Sequence, residues 1–223
     1  MSPAPAPDLR ARVGSVVLDN PVMTASGTAG HGAELAPYLD LAGLGAVVVK
    51  SLHAEPWAGN PPLRVHEVTG GMINSVGLQG PGVAAWLDEH LPALAATGAR
   101  VVASIWGRSA AEFEKAAALL AGAGAGAGAD ALVAVEVNLS CPNTEAGRDL
   151  FAHSAGATRV AVEAAGAAGR PLWAKLSPNV ADLPAVAAAA RDGGAEAVTL
   201  VNTVLGMAID PEARRFRLGA GPR

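Results

Sequence analysis

Short apolar runs alternate with longer alanine-rich segments along most of this chain. The runs at residues 21–26, 45–52, 100–106, 131–138, 171–176 and 196–202 are dominated by valine, leucine and alanine. Their length and composition predict strands. Because they are apolar nearly throughout rather than alternating, they predict strands covered on both faces, as in a parallel sheet. The segments between them, 33–41, 81–97, 109–123, 154–168 and 181–192, predict helices, and residues 10–18 predict an N-terminal hairpin. The succession is a βα repeat of the α/β class, and it predicts a TIM (β/α)8 barrel of which about six βα units are present. The run AGAGAGAGA at 121–129 predicts a flexible connector at a helix end.

Polar residues gather where the predicted strands stop. Ser26 and Gly27, Lys50 and Ser51, Ser104, Asn138 and Cys141, Lys175 and Ser177, and Asn202 and Thr203 occupy six successive strand ends. A lone Ser or Asn there is usually a helix cap or a solvated end. Six ends with compatible polar groups predict a site, since the loops after barrel strands converge on one face. Lys50 and Lys175 each close an apolar strand, and a buried ammonium is costly without an anion or dense hydrogen bonding. An anionic or electron-rich ligand follows. Cys141 is the single cysteine. Most free cysteines are small buried hydrophobes, but Pro142 and the polar loop at 143–149 put this one on a loop rim, where a thiol is placed for chemistry.

Composition narrows the class. At 223 residues and 51% hydrophobic the chain can bury one substantial core. Sixteen basic and twenty acidic residues give a formal charge of -4, with no basic run of the kind that binds nucleic acid. One cysteine excludes an intrachain disulfide framework and suits a reducing compartment. No stretch predicts a signal peptide or a membrane span, so the expectation is a cytoplasmic protein that engages neither membrane nor nucleic acid.

Several ordered motifs resemble the class 1 dihydroorotate dehydrogenases, most closely the class 1B catalytic subunit. They are residues 20–32 (NPVMTASGTAGHG), 49–64 (VKSLHAEPWAGNPPLR), 71–82 (GMINSVGLQGPG), 137–143 (VNLSCPN), 173–179 (WAKLSPN) and 200–210 (LVNTVLGMAID). They cover nearly the whole chain. The resemblance implies oxidation of (S)-dihydroorotate to orotate in pyrimidine biosynthesis, a proton leaving C5 while a hydride passes from C6 to FMN. It assigns the base to Cys141 and the substrate ring to Lys50, Asn74, Ser75, Val76, Gly77, Leu78, Asn138, Asn143, Asn202 and Thr203. Ser26, Lys50, Ser51, Ser104, Asn138, Lys175 and Val201 resemble the FMN contacts; no metal is implied. Further implications are a homo-oligomer and one of two electron acceptors: NAD through an electron-transfer subunit carrying FAD and a [2Fe-2S] cluster, as in class 1B, or fumarate, as in class 1A.

Two departures from the family pattern stand out. Ser104 occupies a position where the pattern has an asparagine beside the flavin. The chain also stops at Arg223, before the last two strands and their Gly-rich FMN-phosphate loops, so residues 1–223 are expected to be one barrel domain lacking strands 7 and 8. Two other expectations compete: a dihydropyrimidine dehydrogenase-like flavoenzyme, and an inactive barrel fragment that serves only as a binding partner.

Overall fold

The computed structural model describes residues 7–123, 126–140 and 150–218. Strands β1 (Ala11–Val13) and β2 (Val16–Leu18) form the antiparallel N-terminal hairpin. Next come β3 (Val47–Val48), then β4 (Val65–Val68) and β5 (Gly71–Asn74), which pair as a second antiparallel hairpin. Helix α1 (Val83–Ala85) runs through a π-turn at Trp86–His90 into α2 (Leu91–Ala95). Then β6 (Val101–Ile105), α3 (Ala110–Gly122), β7 (Leu132–Asn138), α4 (Ala155–Ala165), β8 (Leu172–Lys175), α5 (Leu183–Asp192) and β9 (Ala197–Thr199) alternate, with short 3-10 turns at Ala129–Ala131, Phe151–His153 and Gly166–Ala168. A last antiparallel pair joins β10 (Ile209–Asp210) to β11 (Arg215–Phe216).

Strands β3, β6, β7, β8 and β9 pair in that order, all parallel, and curl into the arc of a (β/α)8 barrel. An isolated parallel bridge from Met23 to Ala46 extends the arc by one chain segment. The two faces of the sheet carry different side chains because the strand repeat is two residues. Val47, Val49, Val101, Ala103, Ile105, Val135, Val137, Leu172 and Ala174 face outward and pack with Trp86, Leu94, Phe113, Leu120, Val162 and Val186 from the helices. Ala46, Val48, Val102, Ala134 and Trp173 face inward, where Leu18 of the N-terminal hairpin joins them. Ser15 N donates to Glu196 Oε2 at 2.6 Å, tying that hairpin to the start of β9. The helices begin where small polar residues cap them: Ser109, Ser154 and Asp182 accept from the backbone N–H three residues on.

The structure departs from the sequence reading in three places. Residues 33–41 form turns rather than a helix. Pro37 has no N–H to give and disfavours a helical residue before it, so isolated turn bonds such as Leu39 N to Leu35 O are what remain. Residues 21–26 contribute the single bridge at Met23, not a full strand. The β4–β5 and β10–β11 hairpins went unread, because their short strands carry mostly exposed or half-exposed residues and give little apolar periodicity. Among the described residues no helix is long and apolar enough to cross a membrane.

Candidate active site

The C-terminal ends of the parallel strands open into a cavity of about 510 Å³. Ser26, Gly27 and Thr28 line it from the loop after Met23, Lys50 and Ser51 from the end of β3, and Asn138 and Ser140 from the end of β7. Lys175 ends β8, and Asn202 and Thr203 follow β9. The β4–β5 hairpin and its continuation supply Val65, Met72, Asn74, Ser75, Val76, Gly77 and Leu78. The strand-end reading and the loop reading thus meet in one cavity.

Local bonding holds each wall. Trp86, at the start of the π-turn, donates Nε1 to the His31 carbonyl at 2.6 Å, and Lys50 N donates to the Gly30 carbonyl at 2.9 Å, which fixes the 26–32 loop beside β3. Asn60 Nδ2 donates to the Ser75 carbonyl at 2.9 Å, and Asn60 N to the Val76 carbonyl at 3.0 Å. Gly77 sits there at φ 74°, where an added Cβ would lie 2.7 Å from Asn60. Only glycine fits that approach. On the opposite wall Asn179 Nδ2 donates to Ser177 Oγ at 3.1 Å and to the Thr203 carbonyl at 3.2 Å, pinning Asn202 and Thr203 to the loop after β8.

The cavity is electropositive. Burial depresses the Lys50 ammonium pKa, and the positive charges of Arg64 and Lys175 lower it further. Among the described residues neither lysine has a carboxylate within ion-pair distance. Ser75 Oγ and Ser140 Oγ are buried with no hydrogen-bond partner. Unmet donors and cations converging on one concavity suit an anionic ligand rich in acceptors. Met72 at 67% and Val65 at 49% exposure offer apolar surface at the same place, as a planar ring requires.

Beneath the floor lies a chain of side-chain hydrogen bonds. Ser26 Oγ is 3.1 Å from Ser51 Oγ, which is 2.9 Å from Ser104 Oγ. Ser104 Oγ donates to Glu136 Oε1 at 3.0 Å, and Thr199 Oγ1 donates to Glu136 Oε2 at 2.9 Å. Asn138 Nδ2 donates to Ser51 Oγ at 3.0 Å. Ser104 is therefore not a lining residue. It is fully buried, one layer below the cavity, because its place on β6 is level with Glu136 and not with Asn138. Val201 is also absent from the lining; Asn202 N bonds the Leu176 carbonyl at 2.8 Å and turns the chain inward one residue later. Cys141 and Asn143 lie outside the described residues. Glu136 escaped the sequence reading inside an apolar run, although its spacing from Asn138 already places both on one face.

The dihydroorotate dehydrogenase family pattern matches residues 8–221. This chain belongs to that family. It is 47% identical over 208 residues to the dihydroorotate dehydrogenase B (NAD(+)) catalytic subunit of Desulforudis audaxviator, covering 93% of this chain and 66% of that relative. It is 43% identical over 210 residues to the protein of the same name from a Geobacter species, covering 94% and 67%. The chain thus spans about two thirds of the length of these curated relatives. The family is flavin-dependent in general.

Proposed function

We propose that this chain is the greater part of a single-domain, FMN-dependent dihydroorotate dehydrogenase that oxidises (S)-dihydroorotate to orotate in pyrimidine biosynthesis. The observation that carries the proposal is the pairing of Lys50 and Lys175, neither within ion-pair distance of a carboxylate among the described residues, with the amides of Asn74, Asn138 and Asn202 around one cavity. The residues present fit a flavin and a small planar acid. Ser75 and Ser140, whose hydroxyls have no partner among the described residues, stand in the cavity wall. A flavin held there by Ser26, Ser51 and Lys175 would supply the acceptor for the hydride leaving C6.

The protein's own groups do the rest. Asn74, Asn138, Asn202 and Thr203, with Asn143, hold the pyrimidine, since each amide offers a donor and an acceptor to a ring presenting both. Lys50 faces the carboxylate of the substrate, where its charge is matched. Lys175, with Ser26 and Ser51, serves the flavin side, and a fixed cation there stabilises negative charge developing in the transition state. Cys141 takes the C5 proton as a general base, a role that needs a thiol pKa near the working pH. The relatives named as NAD(+) catalytic subunits support a partner subunit bearing FAD and an iron-sulfur cluster that carries electrons onward.

The test is chemical identification. The full-length protein, purified without added cofactor, is expected to release FMN on denaturation, one per polypeptide by mass spectrometry and absorbance. Orotate added to the native protein is expected to perturb the flavin spectrum to a saturable end point. Release of FAD alone, or no response to orotate, would overturn the assignment.

A further inference from the structure

Among the described residues Glu136 is the only buried carboxylate, 2% exposed on β7 and two positions before Asn138. It is not among the residues lining the cavity above it. Its two oxygens accept from Ser104 on β6 and Thr199 on β9, so it joins three strands. Burial raises its pKa above the ordinary carboxylate range, and the positive charge of Lys175 on β8, with the hydrogen bonds from Thr199 and Ser104, works in the opposite direction and favours the ion. Burying a charge this way is costly unless it is well compensated, and an apolar residue in its place would avoid that cost. A mere tie between strands would not need an ion.

An ionised carboxylate can only accept hydrogen bonds, and that fixes every proton above it. Ser104 gives its single hydrogen to Glu136, so in its 2.9 Å contact with Ser51 it must accept. Ser51 therefore donates downward and has no hydrogen left. Its contacts with Ser26 at 3.1 Å and Asn138 Nδ2 at 3.0 Å must both arrive as donors. Asn138 is thereby held with its amide nitrogen toward Ser51, while its Oδ1 accepts from Ser140 N at 3.2 Å. Ser26, Ser51 and Asn138 all line the cavity.

We propose that Glu136 is a positioning residue: its carboxylate orients the hydroxyl chain Ser26–Ser51–Ser104, through it the Asn138 amide, and sets a negative charge beneath Lys175. This rests on the function proposed above, since the oriented groups are those assigned to flavin and substrate. A neutral side chain of the same shape would leave the chain free to reverse, because a glutamine amide can donate to Ser104. Ser51 would then have a hydrogen to spare for other partners, and the Asn138 amide would be held by the Ser140 N–H alone.

The test compares wild type with Glu136→Gln in the full-length flavoprotein. The flavin midpoint potential, followed spectrally during dithionite titration, is expected to rise, because a negative charge near the reduced cofactor has been removed. Orotate affinity is expected to fall about three- to tenfold, the loss of one oriented hydrogen bond, with the melting temperature little changed. An unchanged potential and unchanged affinity would reduce Glu136 to a strand tie and overturn the proposal. If Glu136→Gln does not fold, Ser104→Ala cuts the chain while keeping the carboxylate; the same fall in affinity is expected, and unaltered affinity refutes the relay. Failure of the function itself looks different. A wild type that ignores orotate contradicts the dehydrogenase assignment, while the potential of its flavin still reports on Glu136.

Discussion

The concave face of the sheet is two regions stacked along the same strands. Its lower layer, Val48, Val102, Ala134 and Trp173 closed by Leu18, is apolar and buried. Its upper layer, Ser104, Glu136 and Thr199 with Asn138 and Lys175 above, is polar and, around Ser104, Glu136, Asn138 and Lys175, equally buried. Strands β6, β7 and β8 run through both. Two residues along one strand separate packing from chemistry: Trp173 leads to Lys175, Ala134 to Glu136, Val102 to Ser104. The lower layer gains from removing apolar surface from water. The upper layer spends stability on buried polar groups, and only partners, including a ligand, offset that cost.

The largest effect is expected at Cys141, three residues after Asn138 in the sequence. Cys141→Ala in the full-length enzyme should slow flavin reduction by dihydroorotate by about 10² to 10⁴ and leave FMN and orotate bound, as followed by anaerobic rapid-mixing absorbance. Undiminished reduction would return this thiol to the small-hydrophobe role. Within the polar layer, Lys175→Ala is expected to slow the same step by about 10²-fold with a small change in denaturation midpoint. A large stability loss with normal reduction would instead make that lysine structural.

The lower layer should answer in the opposite way. Trp173→Ala removes a large, almost fully buried side chain and is expected to cost about 3 to 5 kcal/mol, measured by chemical denaturation, while the protein that remains folded still reduces its flavin. Loss of reduction at full stability would show that the layers are not separable.

The smallest effect belongs outside the barrel interior. Burial alone would raise the Glu112 carboxyl, but Arg108, through its guanidinium and backbone N–H, and His53 hold it down at about 2, against an ordinary 4.5. Its contribution to stability is therefore complete above about pH 4.5 and is lost as pH falls from there toward about 2. Glu112→Gln should melt earlier than wild type at neutral pH, and the gap should close through that acid window. A gap independent of pH would contradict the ion pairing.

The same two layers explain what could be read from sequence. Strands β6, β7 and β8 were legible because both their faces are buried, so they appear as unbroken apolar runs bounded by polar residues. The strand-end residues were legible for the same reason: Lys50, Asn138 and Lys175 interrupt such runs abruptly. Glu136 was hidden by the averaging that made β7 visible, one charge within ALVAVEV. The β4–β5 hairpin was hidden because two of its four apolar residues, Val65 and Met72, line the cavity rather than a core. The 33–41 segment misled in the other direction, since its alanines and leucines suit a helix while Pro37 forbids one.

The central claim is that the polar layer and its rim form a site where dihydroorotate meets a flavin. The most direct measurement is a single turnover: the full-length protein mixed anaerobically with one equivalent of (S)-dihydroorotate. The account predicts bleaching of the oxidised flavin band with one orotate formed per flavin reduced. A flavin that stays oxidised, with the dihydroorotate recovered intact, would contradict it.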